Sequence, residues 1–140
     1  MSDFNDQVIA DFNRNGGKPG GHFEGAPVLL LHAIGAKSGA ERTQPLMFLP
    51  QDDDTWYVFA SYGGGPKDPA WFHNVVAHPE LDISVGDGTT IRRIPVRARV
   101  LEGAERDTIY ARQAGLFPQF AQYAETTTRD IIPVVQLKQR

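Results

Sequence analysis

The chain has 140 residues, a net charge of −3 and no cysteine. That length suits one domain with its own core; the acidic balance argues against a broad nucleic-acid-binding face, and the missing thiols exclude disulfides and thiolate metal sites. No run approaches the roughly 20 apolar residues of a spanning helix, and Met1 to Asp11 carries acids without a basic leader region, so the expectation is a cytoplasmic protein, at most peripheral to a membrane.

Ser2 or Asp3 suits the N-cap of a first helix, in which Phe4, Val8 and Phe12 form one apolar stripe. Asp3, Asp6 and Asp11 on that segment disfavour an anionic membrane surface and leave packing on the body. Asn15 to Gly21 is expected to be a flexible Gly-rich linker. Val28 to Ile34, a continuous apolar run interrupted by His32, reads as a strand buried on both faces.

Gly35 to Met47 then brings together two glycines, Ser38, Lys37 and Arg42. Such a loop either aims N–H groups, a hydroxyl and two cations at one anion, or is a hairpin turn with solvated charges. Arg42 to Leu49 is a second strand in which Pro45 implies an edge or a bulge. Pro50 to Asp54 is a polar turn, its acids a solvated tip, and Trp56 to Ser61 is a third strand.

Gly63 to Pro66 breaks the chain. Asp68 is the expected N-cap and Pro69 the first residue of a helix running to Ala77, buried through Trp71, Phe72, Val75 and Val76. Leu81, Ile83 and Val85 alternate as a half-buried strand, Asp87-Gly88 suggests a two-residue hairpin turn, and Ile94, Val96, Ala98 and Val100 mark the return strand. Ile91 is out of phase, which calls for a bulge near Arg92 and Arg93. Arg93, Arg97 and Arg99 share one face, read as a solvated face paired with acids, with a rail for an anionic tail as the alternative. Gly103 to Gln122 is helical in two pieces, broken at Gly115 and Pro118, and Ile131 to Leu137 is the last strand.

This pattern predicts an α+β domain: about six mostly antiparallel strands in a small barrel with two or three flanking helices. Neither nucleotide-binding fingerprint is present, no Ser sits in a nucleophile elbow, and His22, His32, His73 and His78 have no convincing metal spacing, so no metal is expected. Little protein-borne chemistry remains. Anion-binding loops, buried aromatics and glycines suit a protein that lets a bound cofactor react.

The ordered segments Gly35-Ala36-Lys37-Ser38-Gly39 with Arg42 and Pro45-Leu46, Ala60-Ser61-Tyr62-Gly63-Gly64, Pro69-Ala70-Trp71-Phe72-His73-Asn74, Pro95 to Arg99, Tyr110 to Gln113, Phe117 to Phe120 and Ile132 to Val135 resemble the deazaflavin-dependent nitroreductase family over roughly residues 16 to 137. The resemblance implies a split β-barrel, related to the flavin-binding split barrels, spanning 1–140 as one deazaflavin-binding domain. It implies coenzyme F420, a flavin analogue with a phosphate and an oligoglutamate tail, as hydride donor. The acceptor would be an electron-poor small molecule such as a quinone, an activated enone or a nitroaromatic. Lys37, Ser38 and Arg42 would hold the phosphate and tail, while Thr43, Gln44, Pro45, Leu46 and Met47 line the groove. Phe59, Ala60, Ser61 and Tyr62 would approach the ring, and Ala70, Trp71, Phe72, His73 and Asn74 close over it. Met47, Phe117, Phe120 and Tyr123 would form the substrate side, with Ser61 or Tyr123 orienting the acceptor and donating a proton. The family usually has Arg where Ala36 stands and often Lys where Tyr62 stands; some members have tyrosines at the positions of Met47, Phe117 and Phe120. The alternatives are a non-catalytic deazaflavin carrier and an FMN-binding barrel. A homodimer is an assembly suggested by analogy with related barrels.

Overall fold

Apolar residues recurring every second position build six antiparallel strands that close on one another in the computed structural model, which describes residues 3–20, 26–52 and 54–140 and, of these, all side chains but those of 3 and 50–52. The caps suggested at Ser2 and Asp3, Gly21, His22 and the tip at Asp53 lie outside what is described. The strands are β1 (Val28–Ile34), β2 (Glu41–Asp52), β3 (Thr55–Phe59), β4 (Glu80–Gly86), β5 (Ile91–Val100) and β6 (Val134–Gln139). They pair in the closed order β1-β2-β3-β6-β5-β4. Four helices accompany them: α1 (Asp3–Arg14), α2 (Ala70–Ala77), α3 (Gly103–Leu116) and α4 (Gln119–Thr126).

The long strand β2 is shared unequally. Glu41 to Met47 pairs with β1, whereas β3 pairs only from Phe48 to Asp52. The first half of β2 therefore has a second edge with no strand on it among the described residues. Pro45, which has no N–H to offer a ladder, falls in that half, as its edge assignment requires.

Inward residues of the strands, among them Leu29, Leu31, Val58, Ile83, Val96 and Leu137, fill the barrel, and Trp71 and Val75 of α2 plug it. Outside, Tyr57 and Phe59 of β3 pack under Ile109, Tyr110 and Phe120 of α3 and α4. Phe12 of α1 covers Val28 and Leu30 on another face. Ile91 belongs to that outer cluster. It needs no bulge, since β4 and β5 stay in register from Gly86↔Ile91 to Glu80↔Arg97; α1 supplies the cover that its phase lacked.

Other expectations change for local reasons. Asp87 opens a four-residue loop instead of a two-residue turn, because its Oδ1 accepts the N–H groups of Thr89 and Thr90, each at 2.8 Å. Gly115 does not break α3, whose buried residues Ile109, Tyr110 and Gln113 are held by packing; the break comes at Pro118. Val76 is exposed. β2 runs on to Asp52, β3 stops at Phe59, and β6 starts at Val134. Asn15 to Gly17 is a docked turn in place of a loose linker: the Gly88 N–H donates to Gly16 O at 2.9 Å. A Cβ on Gly17 would stand 2.4 Å from Gly86 Cα.

Leu31 is fully buried in the barrel. Leu31→Ala should cost about 2–5 kcal/mol, read as a lowered urea midpoint at unchanged slope.

Candidate functional site

Two adjoining cavities, of about 920 and about 550 Å3, share Gln44 of β2 and Ala70 and Trp71 of α2. They lie beside the half of β2 that lacks β3.

The smaller cavity is bordered by Lys37, Ser38, Arg42 and Thr43 on one side and by His73 and Asn74 on the other. The β1–β2 turn is internally closed: the Gly35 N–H donates to Ala40 O at 2.8 Å and the Gly39 N–H to Gly35 O at 2.9 Å. Ser38 Oγ accepts the Ala40 N–H at 3.2 Å. A Cβ on Gly35 would come within 2.5 Å of that Oγ, so a side chain there would displace the Ser38 hydroxyl from its bond to Ala40. The Ala36 N–H donates to Asn74 Oδ1 at 3.0 Å and ties the turn to α2.

Charge balance separates this turn from the three paired arginines of β5. On β5, Arg93 is bonded to Asp82 and Glu41, Arg97 to Glu80, and Arg99 forks onto Glu105 at 2.9 and 3.1 Å. Those arginines are the acid-paired face expected of them. Lys37 and Arg42 are exposed and have no acid partner among the described residues. The first turn of α2 adds partial positive charge. It has no side-chain cap, and the residue before it is Pro69. Asp68 does not cap it, because Arg129 takes the carboxylate at 2.6 Å.

The larger cavity is bordered by Leu46, Phe59, Ser61 and Tyr62, and also by Lys67, Phe4 and Asn5. Those last three were not picked out from the sequence as site residues. Lys67 carried only the faint signal of a cation in a Gly-Pro loop; Phe4 belonged to a stripe read as core. Arg129 was missed too. Its side chain, 9% exposed, donates to Ala60 O at 2.9 Å, Ser61 O at 2.6 Å and Asp68. It thereby staples both ends of the wall that contains Tyr62. That wall is bent: Tyr62 is, among the described residues, the non-glycine residue with positive φ, at 47°, a conformation that costs a side-chain-bearing residue about 1–2 kcal/mol.

Pro45, Met47, Ala60 and Phe72 do not border these two cavities. Met47 packs against the clusters under α1 and under α3 and α4, and Phe72 against the barrel interior. Phe117, Phe120 and Tyr123 join the cluster outside β3. Phe59 links that cluster to the larger cavity, with its ring 5.6 Å from that of Phe120, which in turn is 5.3 Å from Tyr123. The Tyr110 hydroxyl is used internally, donating to Phe120 O at 2.6 Å.

His32 supports the groove from behind. Its Nε2 lies 2.7 Å from Ser84 Oγ and its Nδ1 3.1 Å from Thr43 Oγ1. Burial, and then the charge of Arg93, lower its pKa against the opposing pull of Glu41 and Asp82.

A family model described as F420H(2)-dependent quinone reductase matches residues 6–139. The F420H(2)-dependent quinone reductase of Mycobacterium tuberculosis H37Rv is 35% identical over 137 residues, covering 94% of this chain and 87% of that protein. A solved F420-H2 dependent reductase is 36% identical with a TM-score of 0.69, covering 80% of this chain and 94% of its own. Another solved chain, described as a domain-swapped dimer, is 34% identical with a TM-score of 0.69, covering 95% and 98%.

Two outcomes follow from the bonds around the groove. Arg129→Met leaves Asp68 and two carbonyls without their donor and should destabilise the fold by about 3 kcal/mol in a denaturant titration, with Arg129→Lys recovering only part because it lacks the fork. For His32 the unfolded side chain takes up a proton first, so its contribution to stability is present above about pH 6.5 and is lost as pH falls below that value. Melting curves from about pH 7.5 to about pH 5 should show this slope, and His32→Gln should flatten it.

Proposed function

The chain belongs to the F420H(2)-dependent quinone reductase family, and on that premise we propose that it reduces a quinone-type acceptor with F420H2 held beside the open half of β2. The observation that carries this reading is the pair Lys37 and Arg42, without an acid partner among the described residues, at one end of a groove whose other end presents Leu46 and Phe59.

The residues present fit a long, anionic, ring-bearing ligand. Lys37, Arg42 and the Ser38 hydroxyl would hold the phosphate and oligoglutamate tail by charge-assisted hydrogen bonds. Ala36 has only its N–H to offer, and that already serves Asn74, so the two cations carry more of the binding. Trp71, Leu46 and Phe59 would face the ring system and exclude water. When bound, the reduced cofactor supplies a hydride to the acceptor. Conversion of a quinone to a hydroquinone then needs one proton at the carbonyl oxygen. Ser61 borders the larger cavity and would orient that oxygen, while Lys67 offers positive charge to the oxygen as negative charge develops. Tyr123 packs in the aromatic cluster behind Phe59 and not on the cavity, so of the two candidates Ser61 is the one we assign to the acceptor's oxygen.

No helix among the described residues is long and apolar enough to cross a membrane. We place the enzyme in the cytoplasm as one domain, and the domain-swapped solved relative supports a homodimer as its assembly.

The test is a titration of coenzyme F420 and FMN side by side, with reoxidation of F420H2 by a quinone followed in parallel. F420 should bind the more tightly. Lys37→Glu and Arg42→Glu should each weaken it about tenfold or more, an effect that shrinks with added salt, and should weaken FMN less because it has no oligoglutamate tail. Tighter binding of FMN than of F420, or F420 binding indifferent to both reversals, overturns the assignment; binding without turnover on any acceptor would indicate a carrier.

A further inference from the structure

Besides β2, the end of β3, the Tyr62 wall and the start of α2, the larger cavity is bordered by the first turn of α1. The apolar stripe of α1 is not used uniformly. Val8 and Phe12 are buried, whereas Phe4, one step earlier on the same stripe, is 51% exposed and borders the cavity beside Asn5. Tyr62, another exposed aromatic, borders the same cavity. Apolar rings left exposed at a cavity rim gain burial when a ligand with apolar surface arrives.

The far end of α1 is fixed with unusual closeness. Gly16 and Gly17 approach Gly86 and Gly88 backbone to backbone. Positive φ accounts for glycine at 16, 17 and 88, but Gly86 lies in β4, outside the positive-φ set. It is explained by contact alone, since a Cβ there would stand 2.1 Å from Gly16 O. The chain thus keeps a glycine at the last position of β4, where the close approach seats the end of α1 on the β4–β5 hairpin.

We propose that α1 is the acceptor-selecting wall of the larger cavity, with Phe4 as the residue that packs on an apolar substituent of the acceptor and the Gly16–Gly17 contact with Gly86 and Gly88 as the device that sets its position. The proposal rests on the reading of the groove as a site for F420H2 and a quinone. Lys37 and Arg42 border the other cavity, so acceptor selection and tail binding are separable.

The experiment compares p-benzoquinone with its decyl-substituted counterpart. It uses turnover with F420H2 and, without cofactor, quenching of tryptophan fluorescence, for which Trp71 is placed at both cavities. Phe4→Ala should raise KM and Kd for the decyl quinone about fivefold, as half-burial of one aromatic ring implies, with the unsubstituted ring, the F420 affinity and the melting temperature little changed. Gly17→Ala, which strains the seating without bordering the cavity, should shift the decyl quinone in the same direction. An unchanged decyl-quinone Kd in Phe4→Ala, a wild type that binds the decyl compound no better than the bare ring, or an equal loss of F420 affinity overturns the proposal. A wild type that cannot oxidise F420H2 sinks the functional reading instead, and the fluorescence titration still decides the role of α1.

Discussion

Everything functional in this fold depends on a strand that is paired on both sides for only part of its length. A closed barrel satisfies the backbone N–H and C=O groups of its strands by pairing each with two neighbours. β2 departs from this: β1 covers Glu41 to Met47, and β3 joins only from Phe48. The two cavities of the candidate site lie beside the open half. Pro45 removes one donor from it, and α2 supplies Trp71 both to the barrel core and to the two cavities. The groove is therefore a product of the hydrogen-bonding pattern itself, flanked by a rigid sheet and not by loops alone.

Electrostatics then give the groove a direction. The barrel surface carries many arginines, but Arg93, Arg97 and Arg99 of β5 are paired with Asp82, Glu41, Glu80 and Glu105. Such exposed pairs contribute little to stability, about 0–1 kcal/mol each. Their consequence is that the β1–β2 turn stands out as a place where positive charge is uncompensated among the described residues. With an uncapped helix start between the cavities, one end of the groove favours anions and the other offers Leu46, Phe59 and Trp71. A ligand with a charged tail and a flat ring meets a matching gradient.

The wall opposite is held by less obvious means. Arg129 bonds the exit of β3 to the approach of α2, and Tyr62 is kept in a conformation that most side chains avoid. Strain of this kind persists where the surroundings over-determine it. Arg129 does so with bonds to two carbonyls and a carboxylate, and Thr127, which donates to Gly65 O at 3.0 Å, adds another tie. At the other side, the glycine contacts seat α1. The two boundaries of the larger cavity are thus fixed from residues that do not themselves border it.

What the sequence determined by itself is what short-range patterns can encode. A continuous apolar run placed β1, alternation placed β4 and most of β5, and Pro79 stopped α2 after Ala77. Pro45 announced an edge, and the clustering of Gly35, Lys37, Ser38 and Arg42 marked that turn as a candidate anion site. Those features need only neighbours within a few positions, because strand and helix periods and turn chemistry are local. The tertiary structure alone decided the rest. Ile91 was out of phase until α1 covered the outer face; Asp68 was an N-cap until Arg129 claimed its carboxylate. Phe4 was one more residue of an apolar stripe until it proved exposed at the larger cavity while Val8 and Phe12 were buried, and Gly86 had no local reason to be glycine at all. Each of these is set by a partner far away in the chain, and no local period or turn signal carries the position of a distant carboxylate, carbonyl or helix.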